Sequence, residues 1–146
     1  MPVIEHSAVA DVPRSRAFAY VDDYRSVPNW MFGVRSFEPI GDIDHGLDAL
    51  YAAEMQIGPK TLRSTLRVTE WIEGRSLTLS SVEGFSTVST WSFADTPDGG
   101  TRLDVDFAYN FPGGLAGRAL GALVEPVVGQ AIRHTESTLR RELSAL

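Results

Sequence analysis

Residues 113–146 form the only long run in this chain with helical periodicity, and the rest of the chain has to cover that one apolar stripe. Apolar side chains recur at Leu120, Leu123, Val127 and Ala131, then at Val128, Ile132, Leu139, Leu143 and Leu146, with Thr135 the one polar step among them. Arg133, Glu136, Arg140 and Arg141 take the opposite face, so one side suits a core and the other suits water. Pro126 interrupts the run, because it lacks a backbone donor and its ring collides with the carbonyl four residues back, that of Ala122. An unbroken helix from Leu115 to Leu146 would span about 48 Å, too long for a globule with a radius of gyration of roughly 15 Å. The pattern predicts a short helical piece over about 115–124 and a main helix from about Pro126 onward, with the proline in its first turn.

Upstream, Val3–Ala10 reads as a strand of β-branched and small residues that ends at Asp11-Val12-Pro13, where a capping side chain and an early proline predict a helix start. That helix, about 13–22, places Ala17, Phe18 and Val21 on one side, and Asp22-Asp23 ends it. Tyr24 to Phe32 is too short, and too interrupted by Pro28, for more than one turn of helix carrying Trp30 and Phe32 to the rim of the core. From Gly33 to Phe111 the helical period disappears. Turn residues at Gly41 to Gly46, Gly58-Pro59, Glu73-Gly74, Glu83-Gly84 and Pro97 to Gly100 separate predicted strands at about 34–40, 48–57, 60–72, 75–83, 85–95 and 101–111. Connections this short join antiparallel neighbours. Seven strands and one long amphipathic helix make an α+β chain whose sheet buries one face on that helix.

Period-two alternation says which side chains face inward. Tyr51, Ala53, Met55 and Ile57 share one face, as do Leu62, Ser64, Leu66 and Val68, then Leu77, Leu79 and Ser81. Phe85, Thr87, Ser89, Trp91 and Phe93 continue it, and Leu103, Val105, Phe107, Tyr109 and Phe111 complete it against an outer row of Arg102, Asp104, Asp106 and Asn110. A solid sheet-on-helix core is filled to crystal-like density by branched aliphatics, whereas Ala53, Ser64, Ser81, Thr87 and Ser89 leave volume. Either an apolar cavity dotted with hydroxyls lies between sheet and helix, or the small residues let the helix approach closely.

With 146 residues, 43% of them hydrophobic and 22% charged, the chain is expected to form one domain over 1–146 with a substantial core. A net charge of −6 argues against nucleic acid or an anionic membrane as partner, since both require a concentrated basic surface. Cysteine is absent, which removes disulfides, thiolate metal sites and cysteine nucleophiles. No stretch approaches the roughly 18 apolar residues of a membrane span, and the start lacks a basic region followed by an apolar run. A cytoplasmic protein without integral membrane association is expected.

Several local phrases then carry a resemblance. Ala10-Asp11-Val12-Pro13 precedes the first helix and Asp23-Tyr24-Arg25-Ser26-Val27-Pro28-Asn29-Trp30 follows it. Arg67-Val68-Thr69-Glu70-Trp71 stands in mid-sheet, and Trp91-Ser92-Phe93 comes before Asp98-Gly99-Gly100-Thr101-Arg102-Leu103. In this order the chain resembles the START-like, Bet v 1-like (SRPBCC) superfamily, and more narrowly its polyketide cyclase/dehydrase and lipid-transport branch. The resemblance implies a helix-grip fold, in which a curved seven-stranded antiparallel sheet, with two short helices after strand one, wraps the long C-terminal helix around a hydrophobic cavity. It implies a small hydrophobic ligand, lipid, polyketide or quinone-like. It does not choose between carriers and aromatase/cyclase enzymes of the superfamily.

The candidate lining follows from the inner face and the rim: Trp30, Phe32, Tyr51, Met55, Leu66 and Thr87, then Trp91, Val105, Phe107 and Tyr109, and from the last helix Val128, Ile132 and Thr135. Trp30 to Phe32 and Phe111 to Leu115 are candidate gate segments, with Gly113 and Gly114 as a hinge, or Trp30 is a plug that seals the core. Catalysis requires a positioned acid, base or nucleophile. Only Tyr51 and Tyr109, with Glu70 at a strand end, are candidates, and a phenol is a poor base near neutral pH. His6, His45 and His134 have no metal-ligand spacing, and Asp42 to Asp48 reads as a hairpin turn, so no metal or cofactor is expected. The deficit of interior acid and base favours binding, by a monomer or homodimer, over cyclisation or dehydration.

Overall fold

The computed structural model describes residues 3–30, 34–57, 60–84, 86–110, 137, 138 and 140–145. Strand β1 (Val3–Ala10) leads through Pro13 into helix α1 (Arg14–Asp22). A 3-10 turn (Tyr24–Ser26) and the single-turn helix α2 (Val27–Trp30) follow. Six strands come next: β2 (Val34–Ile40), β3 (Leu50–Ile57), β4 (Lys60–Ile72), β5 (Ser76–Gly84), β6 (Ser86–Asp95) and β7 (Thr101–Asn110). They pair antiparallel in the order β1-β7-β6-β5-β4-β3-β2; the short predicted turns require the pairing from β2 through β7, and β1 adds to it along β7.

Because β1 and β2 are the two edges of this sheet, the segment between them has to cross its whole width, about 29 Å along six inter-strand gaps of ~4.8 Å. Helix α1, nine residues and about 13.5 Å long, covers about half of that distance on the inner face, and the 3-10 turn and α2 continue the crossing. Ala17, Phe18 and Val21 are buried, as the sequence predicts, and they join Val68, Leu77, Leu79, Trp91, Phe93 and Leu103 in one core. Phe18 meets Trp71 and Phe93 edge-on, with ring centroids 5.8 and 5.4 Å away. The helix ends where Ser26 Oγ lies 2.6 and 2.8 Å from the carbonyls of Tyr20 and Asp23, its single hydrogen serving acceptors that the last turn leaves open.

Three details differ from the sequence reading. The cap of α1 is Pro13, whose carbonyl receives the amides of Arg16 and Ala17 at 3.1 and 3.0 Å, and no side chain caps it. Asp11 is exposed, while Asp23 does the expected capping one element later, accepting from Arg25 N at 3.0 Å. Strand β3 starts at Leu50 rather than about 48, because Asp48 adopts a φ of 69°, a left-handed turn conformation that an extended strand cannot contain. Strand β4 carries register shifts at Thr65/Leu66 and Val68/Glu70. A bulge inserts an unpaired residue and bends its strand, so the alternation Leu62, Ser64, Leu66, Val68 changes phase, and Trp71 packs against the core while Glu70 is exposed.

At the C-terminus, 137–138 and 140–144 are helical. Leu143 is 1% exposed and part of the core, and Arg140 and Arg141 face solvent, in agreement with the predicted stripe, while Thr138, off that stripe, is buried as well. Tyr20 Oη donates to Glu142 Oε2 at 3.3 Å, tying α1 to these residues. The predicted helix over 115–124, the start of the main helix at Pro126 and the glycine hinge lie outside the described residues.

Candidate ligand-binding site

Helix α1 ends over the middle of the inner sheet face, and its last turn leaves Val21 buried and Asp22 half-buried there. Facing it, β2 supplies Phe37, β3 Tyr51 and β4 Val68, while Leu77, Leu79 and Trp91 come from β5 and β6. Tyr24 and Val27 close the side. Together they enclose about 20 Å³, room for one water-sized group. An open recess of about 330 Å³ adjoins it, bordered by Ala19, Asp23, Arg25, Asp44 and His45, and the two spaces share Asp22 and Tyr24. A larger groove of about 530 Å³ runs outside, between Val9, Asp11, Asp98 and the helical residues Ser137, Arg140 and Arg141. It is open and polar and shares no residue with the aromatic pocket.

The polar atoms of the inner face are already occupied. Tyr51 Oη donates to the Asp44 carbonyl at 2.7 Å, and its ring stacks on Phe37 at 4.6 Å and 23°. Burial, reinforced by the charges of Asp22 and Asp44, pushes the phenol far above its usual range, so it stays protonated. Trp91 Nε1 donates to Ser89 Oγ at 3.2 Å, and Ser81 Oγ accepts the amide of Thr87 at 2.8 Å where the β5–β6 pairing ends. Tyr51→Phe should cost about 0.5–1.5 kcal/mol of stability, the net worth of one hydrogen bond, while leaving affinity for apolar ligands unchanged. Urea unfolding with a parallel binding titration checks both halves.

Asp22 is the interior carboxylate that strand alternation does not find. Trp71 Nε1 donates to its Oδ1 at 3.1 Å. Burial raises its pKa above the ordinary 3.8, with the Trp71 hydrogen bond and the nearby His45 pulling the other way. His45, exposed in the β2–β3 turn, contacts Asp44 Oδ1 at 3.0 Å, and that contact, with the charges of Asp22 and Asp44, raises its pKa above 6.5. A raised carboxyl contributes stability that is present below its unfolded pKa and lost as pH rises through its folded one. Asp22→Asn, which can keep the acceptor for Trp71, should therefore be more stable than the parent near pH 7, with the advantage vanishing below about pH 4. Urea unfolding of both proteins across that range checks the sign.

The sequence model of the polyketide cyclase/dehydrase and lipid-transport family matches residues 1–144. The chain belongs to that family. No curated protein sequence matches it significantly. Among solved structures it is similar to TTHA0849 of Thermus thermophilus, with 20% identity, TM-score 0.82, and 99% and 98% of the two chains covered. It is also similar to a START superfamily protein of Mycobacterium smegmatis, at 14% identity, TM-score 0.74 and coverage of 98% and 97%. The Zhui aromatase/cyclase of a Streptomyces species matches at 14% identity, TM-score 0.75 and coverage of 97% and 93%. The seven-stranded antiparallel sheet is that of the START-like, Bet v 1-like superfamily, as the sequence phrases imply.

Among the described residues, Tyr51 and Trp91 are the predicted lining residues that border the small cavity. Met55 and Leu66 are half-buried against the core, Thr87 and Val105 are buried, and Phe107 is half-buried, all away from that cavity. Glu70 does not reach inside: the Val68/Glu70 shift leaves it exposed, where it accepts a hydrogen bond from Ser76 Oγ at 3.0 Å. Tyr109 pairs with Thr87 in the β6–β7 register, and Trp30 ends α2, but their side chains lie outside those described. Phe32, Val128, Ile132 and Thr135 are also outside the described residues. Sequence reasoning missed Tyr24, Phe37 and Asp22 as lining residues, and Trp71 as the donor that holds Asp22. Asp22 stands four residues after Phe18, on the same helical stripe, and that spacing was the available signal. Among the described residues no three His, Asp or Glu side chains come together as metal ligands, and no helix is long and apolar enough to cross a membrane.

Proposed function

We propose that this protein binds a small hydrophobic or aromatic metabolite, lipid, polyketide or quinone-like, between the inner sheet face and the C-terminal segment. The observation that carries this reading is the state of the two described catalytic candidates. The Tyr51 hydroxyl is spent on a backbone carbonyl and Glu70 points into solvent, so apart from the Asp22 carboxylate the described lining of the pocket is aromatic and aliphatic surface. Family membership supports the same reading, since lipid transport is part of the family's description. The enclosed 20 Å³ is far smaller than a metabolite, so binding displaces lining side chains or uses space bounded by residues beyond those described. We place the protein in the cytoplasm, acting as a monomer or homodimer.

Thermal-shift screening against lipids, polyphenols and quinones tests the proposal. A ligand at 100 times its dissociation constant adds about 2.7 kcal/mol, a rise of roughly 5–10 °C for a chain of this length. A panel in which no compound shifts the transition would contradict it.

A second reading, a cyclase or aromatase that closes or dehydrates a bound chain, is favoured by Asp22, a half-buried carboxylate beside the apolar pocket that could accept a proton. The aromatase/cyclase among the similar structures is in keeping with it. It requires Asp22→Asn to abolish turnover of an accepted substrate while leaving its binding intact.

A further inference from the structure

The composition of the inner pocket says more about its ligand than hydrophobicity alone. Among the described residues, four aromatic rings, those of Tyr24, Phe37, Tyr51 and Trp91, border it together with the carboxylate of Asp22, and no Lys, Arg or His does. With Tyr51 Oη and Trp91 Nε1 bonded elsewhere, these two side chains offer the pocket mainly ring surface. The neighbouring charges are also spoken for. Arg25 clasps Asp23 through Nε and Nη2 at 3.0 and 3.1 Å, and His45 contacts Asp44 at 3.0 Å. Asp22 receives only the neutral indole N–H of Trp71, so among the described residues its carboxylate has no directly bonded cation.

Aromatic faces attract cations through the ring quadrupole, and the attraction grows where water is excluded. A carboxylate half-removed from water, with no cation bonded to it among the described residues and only the more distant charge of His45 acting on it, favours the same occupant. Size agrees, because about 20 Å³ admits an ammonium-sized group but not an aromatic ring, while the adjoining recess of about 330 Å³ can hold the rest of a small molecule. We infer that the ligand carries a primary amine, whose cationic head seats among these rings against Asp22 while its body lies toward the recess. The inference rests on the binding reading above and names the polar end of that ligand.

Calorimetric titration of the full chain with the primary amines phenethylamine and tyramine and the neutral isostere phenethyl alcohol tests it. The amines are expected to bind about 10-fold or more tightly than the alcohol. Asp22→Asn should erase that preference without weakening the alcohol, whose retained affinity also reports an intact pocket. Tyr24→Leu, which removes a ring but no charge, should weaken the amines several-fold more than the alcohol. Equal affinity for amine and alcohol would overturn the amine head while leaving ligand binding in place. An amine preference that survives Asp22→Asn would overturn its placement, and no binding by any of the three would overturn the inference outright, with the thermal-shift panel then deciding the broader reading.

Discussion

Phe18→Ala should lower the unfolding free energy by about 3–5 kcal/mol, the usual cost of deleting a buried phenylalanine and leaving its cavity. Phe18 is 4% exposed and is the contact through which α1 grips the sheet, with Trp71 on one edge and Phe93 on the other. Edge-to-face pairs add about 0.5–1.5 kcal/mol beyond the area they bury, so the upper part of the range is expected. Phe18→Leu keeps most of the volume and should cost about 1.5 kcal/mol or less. The effect should reach the site. Trp71 positions Asp22 through its indole N–H, so with one ring support gone, the alanine variant should also bind ligand more weakly at temperatures where it remains folded. Guanidinium unfolding of the three proteins gives the stability differences. A loss under about 1.5 kcal/mol in the alanine variant would mean that α1 does not anchor on these rings.

Gly84→Ala should cost at least about 3 kcal/mol, assembled from two separate causes. Gly84 has a φ of 85°, in the left-handed region, which charges an L side chain about 1–2 kcal/mol. A Cβ built there would also lie 2.2 Å from the Arg63 carbonyl oxygen and 3.1 Å from Ser64 Cα, both backbone atoms of the paired strand β4. Neither can move without breaking the β4–β5 pairing, in which Ser64 stands opposite Gly84. Gly74→Ala is the matched control, because Gly74 has a φ of 75° with nothing within 4 Å of its would-be Cβ. Its cost should be the conformational 1–2 kcal/mol alone. Equal losses at the two positions would show that β4 and β5 do not approach so closely at the bulged end of their pairing.

These two sites also mark what a reader of the sequence could and could not obtain. Turn chemistry carries most of the architecture. The punctuation at Gly41 to Gly46, Glu73-Gly74 and Pro97 to Gly100 separates strands that pair antiparallel as predicted, and Ala17, Phe18 and Val21 announce the buried face of α1. The bulges in β4 leave no such mark. An extra residue in one strand is decided by how two strands fit together, not by local composition, so strict alternation assigns Glu70 to a possible interior and overlooks Trp71. The candidate site suffers from the same limit. Tyr51 and Trp91 are legible because they lie on well-paired strands, whereas Asp22 reads as a helix stop. Only the crossing of α1 over the sheet turns that helix end into a pocket wall. The hydroxyls that suggest a polar lining, Ser81 and Ser89, prove to serve neighbouring donors, a role set by pairing geometry rather than by residue type.

The central claim is that this family member holds a small molecule against the inner face of its sheet, and native mass spectrometry of protein purified gently from its expression host tests it most directly. The account predicts a population heavier than the bare chain by the mass of one hydrophobic or aromatic molecule, released on denaturation and recovered when that compound is added back. A single species at the mass of the bare chain under the mildest conditions, with no mass gained from any compound of the lipid, polyphenol and quinone panel, would contradict it.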